Sequence, residues 1–280
     1  MKKFNVGIQL YGVKNTLAKD FEGTLQALYD MGYEYVEFAG YHGKTSEEIK
    51  EILDRIGLKS ISVHQKLDFF NDDPEGAVNY LKNIGIKYVV VPSHPHNMMP
   101  GTDGWEATCA LFNEKAELFA KHGMTLGYHN HDFEYETYDG KYLMDYLTTC
   151  VKNGNMVPEL DTCWVHYAGL KPEDEIRKYK GNIPIVHLKD FVCTKLNAGP
   201  VYELIGSDGS VATGKKDKSG DGFEFRPVGS GLQNFATILA ACEECGTETV
   251  IVEQDDVYGG MTELEAAKIS RDYLKNTFNI

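Results

Sequence analysis

Signals that mark several common protein classes are missing from this chain. The N-terminal MKKFNVGIQLYGV carries two lysines, but its apolar run is short and interrupted. It reads as neither a secretory signal nor a membrane span. The 6 cysteines (Cys109, Cys150, Cys163, Cys193, Cys242 and Cys245) are scattered. Without a secretion signal they are expected to be reduced thiols of a cytoplasmic protein. Cys242 and Cys245 form one CxxC, in ILAACEECG at a helix end. No second pair accompanies it, which disfavours a zinc or redox motif. Positive charge is also short: 28 Lys and Arg stand against 42 Asp and Glu, a net charge of −14. Nucleic-acid binders and proteins of anionic membrane surfaces need the opposite balance. Neither a GxGxxG after the first strand nor a P-loop is present, which weakens an open doubly wound sheet.

What is there is a hydrophobic content of 42% and a charged content of 25%, the make-up of a globular protein with a full core. Glycine then supplies a rhythm. In DMGYEYVEF, RIGLKSISVH, NIGIKYVVVP, KHGMTLGYHN and ECGTETVIVE a helical pattern ends at Gly32, Gly57, Gly85, Gly123 or Gly246. A β-rich run follows at once. Strands are expected near 4–11, 33–39, 58–65, 86–93, 124–131, 156–161, 183–189 and 248–254. Helices are expected near 15–31, 45–56, 73–84, 104–122, 140–152, 172–180, 232–245 and 262–276. Eight strand–helix units in 280 residues predict an α/β fold, a single-domain (β/α)8 TIM barrel over 1–280. A Gly-, Ser-, Asp- and Lys-rich stretch at about 197–228 breaks the rhythm between the seventh strand and its helix. It is expected to be a long βα loop insertion, either a specificity element or a surface excursion.

Barrel chemistry gathers at the C-terminal ends of the strands, and polar residues collect there. They are Glu37, His64, Ser93 with His94, His129 with His131, Asp161, His187 with Lys189 and Asp190, and Glu253 with Asp255. Each alone has an ordinary explanation. A strand-end histidine is usually a hydrogen-bonded rim residue, and an aspartate before a helix is usually its N-cap. Glu253 is harder to dismiss, because it directly follows the apolar TVIV and an uncompensated buried charge costs several kcal/mol. Glu253, Asp161 and the histidines converging on one mouth would compensate each other best around a divalent cation. In GYHNHDFEY, His129 and His131 stand two apart, so on a strand they would share a face.

At this point the sequence resembles a known family. YHNHDFEY, ELDTCWVHYAGLKPED, NIPIVHLKD, VGSGLQNFATIL and VIVEQD, in this order and spacing, resemble the xylose-isomerase-like TIM barrels, and within them the sugar phosphate isomerase/epimerase group. The resemblance spans essentially the whole chain. It implies one divalent metal held by the fifth to eighth strands, here by His129, Asp161, His187 and Glu253. Many members carry Glu where this chain has His129, and His131 is the competing ligand. Members with a DxxH on the sixth strand place a substrate-contacting histidine where this chain has Trp164, which implies a different contact or sugar. Glu134 falls near the position of a second functional carboxylate in related epimerases.

A His, Asp and Glu ligand set suits Mn²⁺, Zn²⁺, Co²⁺ or Fe²⁺, whereas Mg²⁺ prefers an all-oxygen shell. Expansion to five or six ligands, needed to admit a sugar carbonyl and its neighbouring hydroxyl, favours Mn²⁺ over tetrahedral Zn²⁺. The expected reaction is sugar isomerisation or epimerisation by proton abstraction next to a carbonyl, through an enediolate. Glu134 and Glu253 are the candidate bases, with His131 as the alternative, and Lys189 would stabilise developing negative charge. Tyr11, Glu37, His64 and His94 would line the sugar site, with Trp105 or Trp164 as apolar walls. Strand ends poor in basic residues make a non-phosphorylated sugar or a cyclitol at least as good a substrate as a sugar phosphate.

The nearest rival is a metal-dependent dehydratase or lyase acting on an inosose or 3-oxo-glycoside, which uses the same proton abstraction and expels a β-substituent. A non-catalytic sugar-binding barrel is a further alternative. An abasic-site endonuclease shares the fold, but the charge of −14 opposes it. No nucleic-acid or membrane partner is expected. Barrels of this size often form homo-oligomers, though no contact surface stands out.

Overall fold

The computed structural model describes residues 4–93, 99–152, 156–198, 201 and 222–280. Its strands begin with β1 (Asn5–Gln9), β2 (Tyr35–Phe38), β3 (Lys59–His64), β4 (Tyr88–Val91), β5 (Thr125–His129), β6 (Thr137–Tyr138) and β7 (Lys141–Tyr142). They continue with β8 (Met156–Asp161), β9 (Ile185–Leu188), β10 (Asp190–Val192), β11 (Glu224–Arg226) and β12 (Thr249–Val252). β6 pairs with β7 and β10 with β11 as two-stranded ribbons, and the other eight close into a barrel. All eight barrel pairings are parallel. The expected eight-stranded barrel is therefore present, each strand within its predicted range.

The helices are α1 (Lys14–Lys19), α2 (Phe21–Met31), α3 (Ser46–Ile56), α4 (Pro74–Asn83) and α5 (Asp103–Lys121), then α6 (Leu143–Cys150), α7 (Thr162–Tyr167), α8 (Pro172–Lys178), α9 (Phe235–Cys245) and α10 (Glu263–Phe278). Local chemistry fixes their ends. α3 and α10 start on reciprocal capping boxes, Thr45 with Glu48 and Thr262 with Glu265. All five predicted glycine joints take positive φ. The helix expected over 15–31 is two, because Asp20 is extended and its side chain caps α2 by accepting from the Gly23 amide. The short α7, directly after β8, and the β10–β11 ribbon carry too few residues to show a period, and were not predicted.

Inward-facing residues divide the barrel into levels. Tyr88, Val90, Val157, Ile185 and Ile251 form an apolar plug. Gly7 allows the strands to pack there, since a Cβ on it would stand 2.5 Å from Ile251 Cδ1. Two residues further along β8 and β9, on the same face, come Glu159 and His187; two residues beyond Ile251 comes Glu253. The plug thus gives way to charge toward the strand ends. Among the described residues, no helix is long and apolar enough to cross a membrane.

Candidate metal centre at the barrel mouth

Period-two geometry lifts the functional groups above the plug. β8 presents Val157, Glu159 and Asp161 in sequence; β9 presents Ile185 and His187, with Lys189 one step beyond. His129 closes β5, Glu37 lies in β2 and His64 ends β3. Glu37, Asp161 and His187 are fully buried, and His129, Glu159, Lys189 and Glu253 nearly so. Each of these charges would be costly alone; together they form one network.

His129 Nε2 lies 3.7 Å from Asp161 Oδ2 and 3.9 Å from Glu253 Oε2. His187 Nδ1 is 2.9 Å from Glu253 Oε2. One potential ligand atom from each of His129, Asp161, His187 and Glu253 lies within 4.8 Å of the others. Lys189 Nζ is 3.2 Å from Glu253, 3.3 Å from Asp161 and 2.9 Å from Asp255. Below this level, His64 Nε2 contacts Glu159 at 2.8 Å and Glu37 at 3.1 Å. Gln9 donates to Glu37 at 2.6 Å, and the Ser62 hydroxyl also donates to it.

Charge states follow from these contacts. Burial and the surrounding cations, His64 first, hold His129 well below its ordinary pKa, leaving a neutral imidazole with a lone pair. Burial also disfavours a charged His64, but Glu37 and Glu159 outweigh it and push the pKa up to about 10. Burial raises Asp161 to about 7, opposed chiefly by Lys189.

The residues fit a divalent cation. Asp161 Oδ1 accepts the Cys163 amide at 2.8 Å and so caps α7. Its Oδ2, facing His129, is buried 3.3 Å from the Lys189 ammonium, without a hydrogen bond among the described residues. Lys189 is shared with Glu253 and Asp255, so three carboxylates face one ammonium, an excess of negative charge that a divalent cation would balance. Two imidazole nitrogens and two carboxylate oxygens are a donor set for borderline metals.

The other expected residues fall into distinct places. β5 ends at His129, so His131 lies in the turn after it rather than on the strand. The two rings still approach to 5.3 Å. His131 stacks on Phe133 at 5.8 Å and lies 5.6 Å from the Trp164 ring. Trp164 is buried, with Lys189 Nζ 5.2 Å from its ring centre and Phe223 stacked on it at 5.7 Å. Tyr11 is exposed at the rim, where burial and the charges of Asp255, Asp256 and Glu253 raise its pKa. Glu37 and His64 belong to the network itself, beneath the mouth.

Two candidates are not brought to the centre. Glu134 lies in a 3-10 turn, with its carboxylate held by the Tyr128 hydroxyl at 2.5 Å and the His131 amide at 2.6 Å. Trp105 is in the first turn of α5 and packs on Tyr146 at 6.1 Å. His94 lies outside the described residues, as do 199–200 and 202–221 of the 197–228 stretch. Asp190 is a loop anchor: it accepts the amides of Phe191, Gly229, Gly231 and Gln233 at 2.8–3.1 Å. Glu159 is the residue sequence reasoning passed over. Its signal was the spacing in ELD, two before Asp161 and therefore on the same face.

The sequence profile of the xylose isomerase-like TIM barrel family matches residues 25–277. The chain belongs to that family. A sugar phosphate isomerase/epimerase from Parabacteroides distasonis ATCC 8503 superposes with a TM-score of 0.76 at 21% identity, covering 99% of this chain and 95% of that one. A zinc-bound structure of the IOLI protein superposes with a TM-score of 0.65 at 14% identity, over 97% of each chain. The probable 3-DHS dehydratase AsbF of Bacillus anthracis gives 0.64 at 14% identity, over 98% of this chain and 99% of that one. These likenesses are of fold. No curated protein matches the chain.

Proposed function

We propose that this barrel is a metal-dependent isomerase or epimerase of a sugar, with His129, Asp161, His187 and Glu253 as the ligands. The observation that carries the reading is the buried convergence of these four at the strand ends, where the Lys189 ammonium faces three carboxylates. A bound divalent ion, Mn²⁺ by preference, would supply Lewis-acid polarisation of a sugar carbonyl and so favour loss of the adjacent proton.

The chain's own groups divide the remaining tasks. Glu253 and His131 are the proton-transferring pair: Glu253 borders the centre beside Lys189, and His131 flanks His129. Lys189 is oriented by Asp255, Glu253 and Asp161, so its ammonium offsets the negative charge of an enediolate without swinging free. Glu134 holds the turn that carries His131. Trp164 supplies the apolar wall against a sugar face, and Tyr11 the rim.

The substrate is a non-phosphorylated sugar or cyclitol. Among the described residues, Lys189 at the mouth is already matched by three carboxylates and Lys14 at the rim donates to the Asp255 carbonyl at 2.6 Å, and a phosphate dianion would meet Asp255 and Glu253 there. Elimination is the rival outcome of the same proton abstraction. Solvent-deuterium exchange into unphosphorylated ketoses, with product analysis, separates them. Exchange with an isomeric product supports the proposal; a dehydrated product moves the assignment to a lyase; no exchange in metal-loaded protein rejects proton abstraction for the ketoses tried.

A further inference from the structure

The two histidines of the centre also separate two sets of carboxylates. His129 turns Nε2 toward Asp161 and Glu253, at 3.7 and 3.9 Å, and Nδ1 toward Glu159 at 3.1 Å. His187 also spans the two sets, but bonds on the other side. Its Nδ1 is hydrogen-bonded to Glu253 at 2.9 Å, while Nε2 lies 2.9 Å from Glu37 and 3.2 Å from Glu159 without a hydrogen bond among the described residues. The distances on the two sides of His129 differ in kind. Those to Asp161 and Glu253 are too long for hydrogen bonds and fit atoms that share an ion at about 2.0–2.2 Å. The one to Glu159 is a hydrogen bond. Glu159 Oε2 also bonds His64 Nε2 at 2.8 Å, so the lower compartment is closed by hydrogen bonds and charge pairing.

We propose that Glu159 is a positioning residue of the metal centre, holding the His129 proton on Nδ1 so that Nε2 offers its lone pair to the ion. A neutral imidazole has one N–H and one lone pair, and the partner of the N–H decides which nitrogen is free to ligate. His64, between Glu37 and Glu159, offsets their charge. The inference rests on the metal reading above. It assigns a glutamate beneath the ligands, buried to 1% exposure, to orienting His129 rather than to binding a second ion.

The test compares wild type with Glu159→Gln, loading Zn²⁺ for affinity and Co²⁺ for its visible spectrum. Wild type is expected to bind one ion per chain. Glu159→Gln should fold and bind it about 10–100-fold more weakly, with a shifted Co²⁺ d–d spectrum. Unchanged affinity and spectrum would overturn the positioning role while leaving the metal reading intact. Two ions in wild type and one in the variant would also overturn it, since His64, His129, Glu159 and His187 would then be a site themselves. No ion in wild type would remove both readings together. Should the variant not fold, imidazole ¹⁵N shifts of Zn²⁺-loaded wild type decide: a proton on His129 Nδ1 is expected, and the opposite tautomer would reject the proposal.

Discussion

Glu134 is a carboxyl group enclosed by protein. Burial, only partly offset by the Tyr128 hydroxyl and the His131 amide, pushes its pKa from 4.5 up to about 8. The folded state therefore holds a proton that the unfolded state releases between those values, and stability falls as pH rises from 5 to 8. Glu134→Gln removes this dependence. Urea unfolding at pH 5, 6.5 and 8 should show the wild type losing about 4 kcal/mol relative to the variant across that window; parallel curves would mean that Glu134 is already ionised in the fold. The candidate positions were legible in unequal measure. Asp161, His187, Glu253 and Lys189 stand in strand-end motifs, where type and position both speak. Glu159 was hidden because Glu in ELD looks like any polar residue until the strand's period is imposed. Glu134 was read from its distance along the chain, which says nothing of Tyr128, whose hydroxyl bonds it.

Among elements, the β1–β12 seam depends on Gly7. A methyl there would meet Ile251 Cδ1 at 2.5 Å and Tyr35 Cβ at 3.2 Å. Gly7→Ala should cost about 1–3 kcal/mol by overpacking, and shortening the neighbour in Gly7→Ala/Ile251→Val should recover part of it. Additive losses in thermal melts would show that the strain lies elsewhere. The loop after β11 has a similar constraint. A Cβ on Gly231 would stand 2.3 Å from Asp190 Oδ1, so Gly231→Ala is expected to break the Asp190 anchor. Increased proteolysis within 227–233 would report it, and unchanged resistance would reject the anchoring role. Strands and glycine joints were readable because buried parallel strands are continuous apolar runs. The break at Asp20 and the short α7 were not, because caps and single turns are decided by one side chain.

For the whole molecule, the barrel concentrates charge where the plug ends, and the fold is stable only if that charge is matched. An ion that binds the folded state alone should stabilise it by about 2.7 kcal/mol at a hundredfold excess over its Kd. The melting temperature should then rise with Mn²⁺ or Zn²⁺ and fall back with a chelator. The same addition should leave Glu253→Ala unmoved; an equal rise in that variant would place the ion elsewhere. The most direct measurement is metal content by mass spectrometry after purification without chelator and recharging, for wild type, His187→Ala and Glu253→Ala. The account predicts about one ion per wild-type chain and little in either variant. No ion in wild type, or undiminished binding in both variants, would contradict it.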